Sequence, residues 1–202
     1  MINLNARQTY RVIYFILEKG SFSQLEAHKK LKVSLARINK IVSWLYNERR
    51  ALKKEKRRYI VTDYAAIISA FPMFRSMNKL LIEKIHLNLS LKQAKKMLPK
   101  KSVLCLDSAL EVYSNYYRTD RVCVYVDSPG KLMKSIQETL KPYIGGETVL
   151  WLFKQDFEPE KVNKKGINAT AKLRTLIDLA CDNKMYYARD LFEDLWGIKF
   201  VE

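Results

Sequence analysis

The sequence predicts an α+β fold in two parts, residues 1–71 and residues 72–202. Three observations carry this. Apolar residues recur at helical spacing between Tyr10 and Leu45. A short alternating run with a densely basic centre follows at Leu52–Val61. Beyond Pro72, β-branched runs are separated by stretches that open on helix-capping residues.

The first part is read element by element. Asn5 is placed to cap a helix whose inward stripe is Tyr10, Ile13, Ile16 and Leu17, and Gly20 ends it. Ser23-Gln24-Leu25-Glu26 has the form of a capping box and opens a second helix reaching about Leu31. Lys32-Val33 is a tight turn, and Ser34 caps a third helix running to about Arg49. On that helix Leu35, Ile38, Val42 and Leu45 are expected to face the core, with Ile41 beside them. Ala36, Arg37, Lys40, Trp44 and Asn47 take the opposite face. Leu52–Val61 reads as two strands, with Lys53, Lys54, Lys56, Arg57 and Arg58 about the tip. No Gly or Asn is present there, so a turn longer than the two-residue type is expected. Thr62-Asp63 caps a short helix that Pro72 stops.

Three helices, a hairpin and a fourth helix, in that order, form the pattern of a winged helix-turn-helix domain. In that geometry the start of the third helix enters the DNA major groove. The hairpin, as a wing, lies over phosphates. Ser34, Ala36, Arg37, Lys40 and Trp44 are therefore candidate DNA-binding residues on the helix. Lys53, Lys54, Lys56, Arg57 and Arg58 are the candidates on the hairpin. Arginine can read guanine with two hydrogen bonds, and lysine can read guanine or hold a phosphate.

Charge agrees with that assignment. The net charge is +16, from 37 basic and 21 acidic residues. Residues 1–70 hold 15 Lys/Arg against 5 Asp/Glu, a net of +10, whereas residues 71–202 hold 22 against 16, a net of +6. A third of the chain thus carries most of the excess, as a partner rich in phosphate requires. No apolar run is long enough to cross a bilayer, and the first residues lack the basic and apolar regions of a secretion signal. A cytoplasmic location is expected. Cys105, Cys123 and Cys181 are odd in number and widely spaced, the pattern of buried reduced thiols rather than of disulfides or a zinc site. His28 and His86 are the only histidines, which leaves little for a histidine metal site or a Ser-His-Asp triad. No cofactor is expected.

In the second part, Leu80–Leu89 fits either helix or strand, with the strand preferred. Ser90-Leu91-Lys92-Gln93 is a further capping box, whose helix ends at Pro99 and brings Lys92, Lys95 and Lys96 to one face. Val103–Leu106 is a short apolar run, and Ser108–Tyr117 a helix with Leu110, Val112 and Tyr113 turned inward. Val122–Val126 and Thr148–Phe153 are strands. Pro129 opens a helix reaching Leu140. After a polar loop at 158–166, helices at about Thr170–Asp182 and Tyr186–Leu195 close the chain.

The stretches Ser108-Ala109-Leu110-Glu111-Val112-Tyr113 and Tyr117-Arg118-Thr119-Asp120, with the Val122–Val126 strand, resemble the C-terminal domain of AbiEi-type antitoxins. So do Ala169-Thr170-Ala171-Lys172-Leu173-Arg174-Thr175-Leu176-Ile177-Asp178-Leu179 and Ala188-Arg189-Asp190-Leu191-Phe192. Those proteins also begin with a winged helix, so the resemblance spans most of the chain. It implies a repressor of its own operon, binding double-stranded promoter DNA. It also implies protection against a separately encoded nucleotidyltransferase toxin, without a stable complex, as in type IV toxin–antitoxin systems.

Catalysis has little sequence support. No D-x-D occurs, as a nucleotidyltransferase site would want. Asp107, Asp127 and Asp156 each follow an apolar run and could converge at strand ends, but helix caps and turns explain such positions. Asp127-Ser128-Pro129-Gly130-Lys131 lacks phosphate-loop spacing. Asp178 is one turn from Arg174 and can pair with it. Two further readings stay open. One is a nuclease-like enzyme targeted by a winged helix; the other is a ligand-sensing regulator, which would need a pocket in the second part.

Overall fold

The computed structural model describes residues 7–114, 117–126, 131–140, 146, 148–157, 160–164 and 166–199. Two compact units emerge, Met1–Arg75 and Ser76–Glu202, and each mixes helices with strands. The α+β class expected from the sequence holds.

In the first unit α1 (Arg7–Lys19) buries Tyr10, Val12, Ile13, Phe15, Ile16 and Leu17. Gly20 ends it at φ 67°, a conformation L side chains rarely adopt, and its carbonyl accepts from Val61 N at 2.7 Å. β1 (Ser21–Phe22) follows, a strand too short to leave a periodic signal. α2 (Gln24–Leu31) starts on Ser23, whose hydroxyl accepts from Glu26 N, and ends on Lys32 in the left-handed region. α3 (Leu35–Asn47) starts on Ser34, whose hydroxyl accepts from Arg37 N. β2 (Leu52–Glu55) and β3 (Arg58–Val61) form the hairpin, and α4 (Tyr64–Ile68) is capped by Asp63.

The small sheet has the order β1-β3-β2, all antiparallel. Glu55 pairs with Arg58, so the turn is only Lys56-Arg57, tighter than expected. Lys56 meets the demand at φ 51°, at a cost of about 1–2 kcal/mol that a glycine would avoid. Pro72 does not merely stop α4: it sits at the start of a 3₁₀ turn, Phe71–Met73. Phe71 is buried against the Tyr10 ring at 5.9 Å, which draws this turn into the first unit.

In the second unit a short α5 (Met77–Leu80), unforeseen in the sequence, leads into β4 (Leu81–Leu87). α6 (Leu91–Met97) opens on a complete capping box between Ser90 and Gln93. β5 (Val103–Leu104), α7 (Leu106–Tyr113), β6 (Arg121–Val126), α8 (Lys131–Leu140) and β7 (Thr148–Lys154) follow. The expected polar loop at 158–166 is instead largely the hairpin of β8 (Lys161–Lys164) and β9 (Ile167–Thr170). Asn163 Nδ2 donates to Asn168 Oδ1 across it at 2.9 Å, which explains strands made of polar residues. α9 (Lys172–Cys181), a 3₁₀ turn and α10 (Arg189–Trp196) close the described chain.

The strand order is β4-β7-β6-β5-β9-β8, with β6/β7 and β5/β9 parallel and the other pairs antiparallel. Val122, Val124, Val126, Leu150 and Leu152 form one buried cluster with Ala94 of α6 and Ile136 and Leu140 of α8. Each fully buried Val, Ile or Leu there contributes roughly 1.5–3 kcal/mol. Cys105, Cys123 and Cys181 are buried, as expected, and burial pushes the Cys123 thiol up. Among the described residues no helix is long and apolar enough to cross a membrane.

Candidate nucleic-acid interface

α3 turns about 100° per residue, so its faces follow from its numbering. Ile38, Ile41, Val42 and Leu45 are buried and define the inner face. Ala36, Lys40, Ser43 and Asn47 lie on the opposite side. An open depression of about 400 Å³ runs there, lined by Ala36, Asn39, Lys40, Ser43, Trp44, Asn47 and Glu48. Asn39 and Ser43 were missed in the sequence reading, although the spacing 36, 39, 40, 43, 47 is a helical stripe. Their short polar side chains are suited to base edges, since asparagine can bond adenine at two points.

Two sequence expectations on α3 need correction. Leu35, assigned to the core, is 44% exposed. It is the first residue of the helix, and buried packing begins one turn later, at Ile38. Trp44, assigned to the outer face, is 8% exposed. The indole turns sideways and lies 5.6 Å from the Arg49 guanidinium, which also donates to Ala66 O at 3.0 Å and Ser69 Oγ at 3.1 Å. Trp44 is thus mostly buried beside Arg49, while its remaining edge lines the outer depression together with Lys40 and Ser43.

Arg37 lies on one flank of the outer face, where its guanidinium donates to Gln8 Oε1 of α1. The hairpin borders the other flank, because Tyr46 of α3 packs edge-on against Tyr59 of β3 at 6.2 Å. Gln24 Nε2 donates to Asn39 Oδ1 at 3.1 Å, so the start of α2 abuts the same flank.

The five hairpin cations are not equivalent. Arg58, although exposed, is engaged: it donates to Ser21 Oγ at 3.1 Å and Ser21 O at 2.9 Å, and pairs with Glu26 at 3.3 Å. Lys53 pairs with Glu55 at 2.9 Å on the surface. Lys54, Lys56 and Arg57 are exposed and have no ion pair among the described residues. Ser34 serves as the helix cap already described.

The candidate carboxylates of the second unit occupy two separate networks. Leu106, buried with φ 49°, turns the chain from β5 into α7 and sets Asp107 in the first helical turn. Asp107 is not a cap there. It is 1% exposed, accepts from Tyr117 Oη and Lys184 Nζ at 2.9 Å each, and lies 3.5 Å from Arg121 Nε. Burial, then the Asp107 charge, pushes the Tyr117 phenol up. Burial works to lower Lys184, but hydrogen bonds to Asp182 and Asp107 outweigh it and raise it. Asp156 instead meets Arg174 at 2.8 Å, and Arg174, wholly buried, also pairs with Asp178 at 3.0 Å, as the sequence spacing suggested. Tyr125 Oη accepts from Arg174 at 3.1 Å. Asp127, with Ser128, Pro129 and Gly130, lies outside the described residues. Among the described residues no three His, Cys, Asp or Glu side chains are grouped to hold a metal ion.

Comparison with known protein families, with curated proteins and with solved structures found no match to this chain.

Proposed function

We propose that the chain is a sequence-specific, double-stranded DNA-binding repressor, with its first unit acting as a winged helix-turn-helix. The observation that carries this reading is the pairing, in one basic unit, of a polar outer face on α3 with a bordering hairpin on which Lys54, Lys56 and Arg57 have no ion pair among the described residues. A helix face of that size fits the major groove, and cations without internal partners are free to replace phosphate counterions. Lys40 and the Asn39/Ser43/Asn47 stripe read base edges. Lys54, Lys56 and Arg57 hold backbone phosphates. Arg37, steadied by Gln8, meets a phosphate at the groove edge.

The resemblance to AbiEi-type antitoxins extends the proposal. The DNA bound is the promoter of the chain's own operon, and the second unit opposes a nucleotidyltransferase toxin encoded nearby without holding it in a stable complex. The second unit is taken as non-catalytic. Asp107 and Asp156 are each neutralised by different cations, the reverse of what two carboxylates sharing metal ions need. This weighs against the nuclease-like alternative.

The test is footprinting on the chain's own upstream region. Protection of one or two defined sites, lost in Lys40→Ala, is expected. Uniform protection of any duplex would leave only a non-specific polyanion binder. Growth rescue by residues 76–202 alone, beside the neighbouring toxin, tests the antitoxin role. Rescue should survive Asp107→Asn and Asp156→Asn in variants whose thermal unfolding shows them folded.

A further inference from the structure

The second unit contains a cavity of about 330 Å³ between the C-terminal end of α6, the segment after it, and the β8–β9 turn. Lys95, Lys96, Lys100, Ser102, Gly166 and Asn168 supply its polar lining, with Leu98, Leu104 and Ile167 as apolar wall. The volume lies near the lower end of ligand pockets, roughly 300–1,000 Å³. Its walls are tied together. Asn168 Nδ2 donates to Lys100 O at 2.7 Å, Ser102 N to Pro99 O at 2.8 Å, and Gly166 N to Asn163 Oδ1 at 3.2 Å.

The charges of the lining are unevenly spent. Lys95 is committed to Glu111 at 2.6 Å. Lys96 and Lys100 have no ion pair among the described residues. Ser102 is 6% exposed, and its buried hydroxyl has no hydrogen-bond partner among the described residues. An orphaned buried hydroxyl is costly, so this one calls for an acceptor from outside the chain. Two free ammonium groups and one unused hydroxyl, beside an apolar wall, suit a phosphate carried on a compact organic group.

We infer that this cavity binds a small phosphorylated molecule of about nucleoside-monophosphate size. Lys96 and Lys100 meet the phosphate, the Ser102 hydroxyl donates to one of its oxygens, and Leu98, Leu104 and Ile167 hold the organic part. The inference rests on the second unit alone and does not require the DNA reading. If that reading holds as well, the cavity is where a metabolite would act on the repressor.

Titration of the full chain with adenosine monophosphate, followed by calorimetry and by thermal unfolding, tests it. Saturable binding is expected, with competition by inorganic phosphate and no binding of adenosine. The double variant Lys96→Gln/Lys100→Gln should weaken affinity about tenfold or more, the equivalent of about 1.4 kcal/mol. Ser102→Ala should weaken it to a smaller degree while holding or raising the unliganded Tm, since it removes an unsatisfied buried hydroxyl. Lys92→Gln, on the same helix but outside the cavity lining, should bind as the parent does. Absence of saturation by adenosine monophosphate at millimolar concentration would overturn the inference. So would an equal loss in Lys92→Gln, which would mean charge attraction without a site. So would loss of duplex DNA binding in the double variant with nucleotide binding intact, which would make these lysines part of a nucleic-acid surface.

Discussion

Replacing Lys54, Lys56 and Arg57 with Gln removes the three hairpin cations that have no carboxylate partner among the described residues, while leaving Lys53–Glu55 and Arg58–Glu26 in place. Each phosphate contact releases counterions and adds about 0.9 to the slope of log K against log salt. Losing three contacts should therefore flatten the slope by about 2.7. At roughly 0.1 M salt each contact contributes about eightfold, so the triple variant should bind about 500-fold more weakly at most, on operator and random duplex alike. Fluorescence anisotropy across a salt series measures both quantities. The companion variant is Lys53→Gln, whose charge is already partly met by Glu55; its effect on the slope should be under half of one contact's. A triple variant with an unchanged slope, or a Lys53→Gln effect as large as that of Lys54→Gln, would refute the reasoning, since either would show that internal pairing does not decide which cations engage DNA.

Other outcomes follow from the same geometry. Lys40→Ala should cost about 1–3 kcal/mol of specific binding and relax base preference, whereas Arg37→Ala should weaken all duplexes alike; a sequence-selective loss in Arg37→Ala would place it on a base. Trp44→Ala should destabilise the first unit by about 3–5 kcal/mol in urea unfolding. Normal stability with weakened DNA binding would make Trp44 a contact residue after all. Arg174→Met should cost about 3–5 kcal/mol because it removes the buried cation paired with Asp178, and Arg174→Met/Asp178→Leu should recover part of that loss. Additive losses would show that the pair is not coupled. On the alkaline side, burial raises Tyr113 from its ordinary 10 to about 12, and Tyr117 and Lys184 are raised too. In all three the folded chain keeps a proton that the unfolded chain gives up, so stability is full below pH 10 and falls as pH rises towards 12. A Tm that stays flat across that range would contradict the burial of these groups.

Much of the local structure could be read from the chain because its signals are local. Ser23, Ser34, Asp63 and Ser90 each accept the backbone N–H their position implies. The helices of α1 and α3, and the strands β6 and β7, follow from periodicity and β-branching. Elements without such signals went unread. β1 is two residues long, and β8 is exposed along its whole length and pairs with β9 through asparagines. Gly146 shows the same limit: only the fold reveals that a Cβ there would come within 2.3 Å of Leu87 O.

By itself the sequence determined where α2, α3, α4 and α6 begin, most of the apolar stripe that turns inward on α1 and α3, and that the positive charge is concentrated in the first third, since caps, spacing and composition act over a few residues. Only the tertiary structure decided which of the basic residues are free to bind. Arg58 is spent on Ser21, 37 residues away, and Lys184 on Asp107, 77 away, while Arg37 is held by the neutral Gln8, 29 away. It also decided that Trp44 is buried, and that Lys96, Lys100 and Ser102 meet the β8–β9 turn around a cavity. The physical reason is one of range. An ion pair or a cavity depends on groups brought together by folding, and no periodicity along the chain records which distant partner a charge will meet.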